Sequence, residues 1–129
     1  NHKITKEITE NYDIISTESL TISKMIMDKE HHLSKAISDA TFNEILEQLE
    51  YKAKERGKYF YKISPYYPSS QICSVCNNID KKYKNLDERM YECNRCYSKL
   101  DRDFNASVNI MFEGLKLHIM APMKNLSTR

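Results

Sequence analysis

Four cysteines in two pairs constrain this chain more than any other feature. Cys73-Ser-Val-Cys76 and Cys93-Asn-Arg-Cys96 are C-x₂-C pairs separated by 16 residues, and no cysteine is left over. A C-x₂-C turn lets two thiolates converge on one tetrahedral ion. Two such turns, each opening a short hairpin, complete four Zn–S bonds of about 2.3 Å, the arrangement of a Cys₄ zinc ribbon. The competing use is a pair of disulfides. Nothing marks the chain as secreted, so spacing and compartment favour zinc. Four thiolates leave no open position for water or substrate, so this Zn²⁺ is expected to be structural. His2, His31 and His32 are read as exposed polar residues, and the scattered methionines as pliable filler.

At 129 residues the chain is one small domain or a piece of a larger protein. Its 40% apolar and 29% charged residues suffice for a modest core and exclude a wholly disordered polyampholyte. No run approaches the roughly 18 apolar residues of a membrane span, and Asn1-His2-Lys3 does not open a signal peptide. A soluble, cytoplasmic protein is expected, with its natural start upstream of Asn1.

The formal charge of +2 is too balanced to imply a partner, but its distribution is uneven. Residues 1–57 carry 8 basic and 11 acidic side chains, residues 58–102 carry 9 and 5, and residues 103–129 carry 3 and 2. The basic middle segment also holds the cysteines and most of the tyrosines. Lys81, Lys82, Lys84, Arg95, Lys99 and Arg102 cluster there, the mixture of cation and aromatic that phosphate and base contacts use. A solvated basic loop would have the same composition.

Residues 1–10 read as the tail of a helix, and Tyr12 to Leu20, with its Ile14-Ile15 pair, as a buried strand. Phe42, Ile45, Leu46, Leu49 and Ala53 recur at helical spacing over 39–56. Thr41-x-x-Glu44 resembles a capping box there, and Gly57 suits C′. Residues 22–38 read as a connecting loop or a frayed extension of that helix. Tyr59 to Ile63 predicts a second strand ending before Pro65, so strand, helix, strand implies a βαβ unit of a parallel sheet. Phe104, Val108, Met111, Phe112, Leu115 and Ile119 form one stripe of a last helix that should close the layer, and the sequence beyond Pro122 reads as a loose tail. The expected division is 1–64, an α/β segment; 65–100, the zinc-binding segment; 101–121, the closing helix; and 122–129, a tail.

Asp101-Arg102-Asp103-Phe104-Asn105-Ala106 puts a carboxylate at the start of that helix, where a simple cap is the plainest use. Glu18 ends the first strand, where a parallel sheet places its site. Two such carboxylates could share a hard ion such as Mg²⁺.

Five features occur in an order that resembles the C-terminal half of the TnpB (OrfB) transposon proteins: Tyr12 to Leu20 with Glu18; the helix with Gln48-Leu-Glu-Tyr-Lys-Ala53; Pro68-Ser-Ser-Gln71-x-Cys73-Ser-x-Cys76; Cys93-x-x-Cys96; and Asp101-Arg-Asp-x-Asn-Ala106. The resemblance implies a partial RNase H-like (RuvC) domain interrupted by a zinc ribbon, in an RNA-guided DNA endonuclease encoded beside a transposase. It implies DNA and guide RNA as partners, with three acidic residues holding two Mg²⁺. Glu18 matches the second acid and Asp103 the third. The first has no counterpart, since in the family it lies in a Gly-rich strand upstream of anything in this chain. The chain alone is therefore expected to be inactive, to need the missing N-terminal half and to self-associate through the bare edge of its first strand. The other function the residues allow is a nuclease-dead zinc-ribbon module that grips nucleic acid. Ser19 stands where the family usually has Asp, and Asn77 and Tyr97 stand where Gly is usual.

Overall fold

The computed structural model describes residues 1–19, 32–85 and 87–127. They form two compact units, Asn1–Pro65 and Tyr66–Arg129.

In the first unit, α1 (His2–Asn11) leads into β1 (Ile14–Thr17), α2 (His32–Glu55) and β2 (Tyr59–Lys62). β1 and β2 pair in parallel, with Ile14 opposite Tyr59 and Thr17 opposite Lys62. Parallel neighbours need a crossover, and α2 lies between them in the chain. Its C-terminus is a Schellman motif. The Lys58 N–H donates to the Ala53 carbonyl (2.7 Å) and the Gly57 N–H to that of Lys54 (3.3 Å), with Gly57 at φ 69°. No atom crowds a Cβ at Gly57, so the left-handed backbone alone selects glycine. The Lys58 ammonium is 2.6 Å from Asp13 Oδ1, which joins the starts of the two strands and lowers the Asp13 pKa.

α2 starts earlier than its capping signal suggested. Thr41 and Glu44 lie inside a helix that is already formed from His32, so they make no capping box. No glycine or proline interrupts the chain between His32 and Arg56, so nothing forces a start at Thr41. Residues 22–31 lie outside the described residues.

Ile15, Leu49 and Ala53 form the small core of this unit, with Ile8, Ile45 and Phe60 against it. Beyond Ile8, the contact between α1 and α2 is polar. Thr5 and Thr9 are fully buried. The Thr5 hydroxyl donates to Gln48 Oε1 (3.0 Å) and accepts from Lys52 Nζ (2.7 Å), while Arg56 donates to the Thr9 hydroxyl. Buried hydroxyls are tolerated because each has a partner.

In the second unit a 3₁₀ turn (Lys81–Lys84) precedes an antiparallel hairpin, β3 (Met90–Glu92) and β4 (Lys99–Asp101), with Tyr91 opposite Leu100. α3 (Arg102–Ser127) follows directly. Asp101 is its N-cap, its Oδ1 accepting the Phe104 N–H at 2.9 Å. The helix passes Pro122 and reaches Ser127, where the sequence had suggested a loose tail.

The apolar stripe expected of α3 lies largely at the surface among the described residues. Phe104, Met111, Phe112 and Ile119 are exposed, and the buried positions are Asn105, Asn109 and Gly114. The reason lies in what the helix packs on, a turn of backbone carbonyls and N–H groups. Such a surface needs amide donors and acceptors rather than methyl groups.

Candidate metal centre and the carboxylate-bearing helix

Each cysteine pair sits in the same kind of turn. The Asn77 N–H donates to the Cys73 carbonyl (2.8 Å) and the Cys73 N–H to that of Asn78 (2.8 Å). In the second turn Tyr97 donates to Cys93 (3.1 Å) and Cys93 to Ser98 (3.0 Å). An isolated Ile72–Ile79 bridge closes the first turn and the β3–β4 hairpin the second. Asn78 Nδ2 donates to Asn94 Oδ1 at 2.8 Å, joining the two turns side by side.

The four sulfur atoms converge, all within 4.8 Å of one another. Cys73 Sγ lies 3.7 Å from Cys96 Sγ, and Cys76 Sγ 3.5 Å from Cys93 Sγ. A tetrahedral ion with bonds of about 2.3 Å would put its ligands about 3.8 Å apart. All four are free thiols rather than disulfides. The donors, their number and their spacing therefore fit a metal ion such as zinc.

Local electrostatics prepare the second cysteine pair, and not the first, for anionic sulfur. The N–H groups of Arg95 and Cys96 point at Cys93 Sγ, at 3.3 and 3.4 Å. Burial alone would raise the Cys93 pKa, but these donors outweigh it and hold it below the ordinary value. The Ser98 hydroxyl and N–H bring Cys96 down to about 6. Burial pushes Cys73 up to about 11. Behind the sulfurs lie Tyr83 and Tyr91, buried and 4.4 Å apart between ring centroids. Tyr91 donates to the Gln71 carbonyl (2.9 Å), and the Tyr83 hydroxyl accepts the Glu92 N–H (2.9 Å). Both rings are core, so they are not among the aromatics that the basic segment offers to solvent.

Asn105, fully buried, clasps the peptide units on either side of Cys73. Its Oδ1 accepts the Ser74 N–H (2.8 Å) and its Nδ2 donates to the Ile72 carbonyl (2.7 Å). Asn109 Nδ2 donates to the Ser69 and Ile72 carbonyls at 2.9 and 2.8 Å. Sequence reading had noted Asn105 only as part of a motif and had missed Asn109. The available signal was two asparagines four residues apart on one helical face. Through this clasp, the thiolate turn and the first turn of α3 form one piece, and Asp103 stands on that first turn.

Glu18 follows the last residue of β1 and is exposed, in the first unit. Asp103 is exposed in the second. Among the described residues neither carboxylate makes an ion pair. Ser19 donates to the Ile63 carbonyl at 2.6 Å, a bond an ionised aspartate at that position could not make. Lys81, Lys84 and Arg95 are exposed. Lys82 lies 3.7 Å from Asp80 and over the Tyr83 ring, and Lys99 lies 3.8 Å from Glu92. The Arg102 guanidinium donates to the Tyr83 and Glu88 carbonyls, which secures the loop before β3.

Asn77 and Tyr97 both adopt left-handed backbone, with φ of 66° and 64°. Asparagine tolerates this region and tyrosine much less so. Replacing Tyr97 with glycine is expected to stabilise the metal-loaded chain by about 1 kcal/mol, readable as a higher melting temperature. An unchanged or lower melting temperature would mean that the ring contributes packing despite its exposure.

Residues 42–110 match the family model described as Cas12f1-like, TNB domain. A protein of Streptomyces pristinaespiralis described as an RNA-guided DNA endonuclease is 33% identical over 114 residues, covering 88% of this chain and 27% of its own length. Cas12f1 of Sulfoacidibacillus thermotolerans is 31% identical over 91 residues, 70% of this chain and 21% of the relative. The TnpB-like protein L79 of Acanthamoeba polyphaga mimivirus is 27% identical over 121 residues, 89% of this chain and 22% of the relative. The chain thus spans about a quarter of the length of these curated relatives. Among solved structures, the Cas12f1 chain of a Cas12f1–sgRNA–target DNA complex shares its fold, with a TM-score of 0.56 at 23% identity over 84% of this chain and 32% of that one. The chain belongs to the Cas12f1-like TNB-domain family, among the TnpB-type proteins.

Proposed function

We propose that the chain supplies a zinc ribbon and two of the three metal-binding carboxylates of a TnpB-type RNA-guided DNA endonuclease, as part of an RNase H-like RuvC domain. The observation that carries this reading is Glu18, exposed at the carboxyl end of β1 in a parallel pair, where α/β sheets hold their sites. Glu18 and Asp103 offer hard oxygen donors, the chemistry Mg²⁺ takes. When bound, Mg²⁺ stabilises the attacking and leaving oxygens of a phosphodiester being cut. Asp103 is held by the Asp101 cap and the Asn105 clasp, and Glu18 by the strand it ends. The four thiolates hold zinc as a structural ion and leave it no open position. Lys81, Lys82, Lys84, Arg95, Lys99 and Arg102 surround that centre with positive charge for a nucleic-acid backbone. The outer edge of β1, where a further strand of such a sheet would pair, is where self-association of the isolated chain is expected.

The test has two arms. The zinc-loaded chain should bind DNA weakly, with affinity that falls steeply between low and physiological salt, and should not cut it. A longer protein that adds an upstream strand with the first carboxylate, together with guide RNA, should cut guide-matched DNA with Mg²⁺. Cutting by the 129-residue chain alone would refute the division of carboxylates. A longer protein that binds and never cuts would favour a nuclease-dead binding module.

A further inference from the structure

Tyr97 is the residue whose backbone and side chain disagree most. Its φ of 64° suits glycine, yet the residue is 81% exposed and belongs to no core cluster. Asn77 at the equivalent place in the first turn has φ 66° and is a residue that accepts it. Backbone strain that brings no internal packing points to a role outside the fold. The neighbours of Tyr97 along the turn, Asn94, Arg95, Ser98 and Lys99, are all polar, and Arg95 and Lys99 are exposed cations. A ring between two cations, with Val75 and Ile79 the other exposed apolar residues of the cysteine turns, is a poor docking point for an apolar protein surface, which needs several large anchors together. It is a good one for a base and its phosphates, because any base offers a π face and the cations meet the backbone.

We propose that Tyr97 stacks on an unpaired base of a single-stranded nucleic acid crossing the face of the two cysteine turns, with Arg95 on an adjacent phosphate. The inference rests on the nucleic-acid binding proposed above and adds the strand type and the residue. A paired base already has both faces stacked, so duplex gains nothing from the ring.

The experiment measures fluorescence anisotropy of a labelled oligothymidylate and of a short duplex with the zinc-loaded chain, across a salt series. Tyr97→Gly and Tyr97→Leu should each bind oligothymidylate about tenfold more weakly, with the salt slope unchanged. Tyr97→Phe should stay within about twofold, because it keeps the ring. Duplex affinity should be the same for all four proteins. Because Tyr97→Gly relieves backbone strain, its loss of binding cannot be assigned to misfolding when its melting temperature is at or above that of the parent. Salt-sensitive binding that Tyr97→Gly and Tyr97→Leu leave intact would overturn the inference and assign the ring to something else, such as a protein surface, while the broader reading stands. No salt-sensitive binding by the parent chain would overturn both.

Discussion

Removing the metal, by chelation or by Cys73→Ser, is expected to unfold the second unit while the first stays ordered. The second unit has little else to hold it. Its buried cluster is Cys73, Cys93, Tyr83 and Tyr91, with Cys76 and Cys96 against it, so the sulfur atoms make up much of their own core. Binding of structural zinc by four thiolates is worth on the order of 10 kcal/mol or more at neutral pH, comparable to the whole stability of a small domain. The first unit has an independent core of Ile15, Leu49 and Ala53. Amide exchange on the full chain reads both units at once. Protection of Ser74, Tyr91 and the first turn of α3 should collapse with chelator, and that of Tyr59 and Ile63, whose N–H groups donate to the Asp13 and Thr17 carbonyls, should persist. Persistent protection at Ser74 would mean that Asn105 and the tyrosines hold the turn without metal.

Acid should act in the same direction. Cys96, held down to about 6 from an ordinary thiol value of 9.0, contributes stability as a thiolate that is fully present above 9.0 and lost as pH falls through about 6. Cys73, pushed up to about 11, works the other way. In the metal-free chain it favours the neutral thiol, and its contribution is lost only as pH rises through about 11. Zinc must displace that proton, so metal uptake at neutral pH should release acid.

The second large effect concerns chemistry. In the longer, guide-loaded protein, Glu18→Ala and Asp103→Ala should each lower cleavage by at least about a thousandfold, equivalent to about 4 kcal/mol of lost transition-state stabilisation. Target binding should stay within about twofold, since neither carboxylate attracts a phosphate. Asp101→Ala should behave differently. Asp101 caps α3 through the Phe104 N–H, so its loss costs about 1 kcal/mol of stability and reaches cleavage only through the helix start. Equal losses from Asp101→Ala and Asp103→Ala would remove the distinction between cap and metal ligand.

Spacing made the convergence of the four cysteines legible, because each C-x₂-C pair sets its turn within four residues. The parallel pair was also legible, since Ile14-Ile15 and Tyr59 to Lys62 are short apolar runs on either side of a periodic helix. Non-local chemistry hid the rest. The α1–α2 contact could not be read because Thr5 and Thr9 look like surface residues until Gln48, Lys52 and Arg56 arrive from more than 40 residues away. The polar seat of α3 was hidden for a related reason. Periodicity weighs Phe104, Phe112 and Ile119 as core, but the surface under the helix is peptide, and peptide selects Asn105 and Asn109. Tyr83 and Tyr91 could not be told from the solvent-facing tyrosines of the basic segment, because tyrosine serves in cores and on surfaces alike. Only the hairpin register, which turns Tyr91 inward between Met90 and Glu92, separates the two roles.

Zinc K-edge X-ray absorption on protein purified without chelator tests the central claim, a closed all-sulfur metal centre, most directly. The predicted result is one zinc per chain with four sulfur neighbours at about 2.3 Å and no nitrogen or oxygen in the shell. A shell containing nitrogen or oxygen, or less than half an equivalent of zinc, would contradict it.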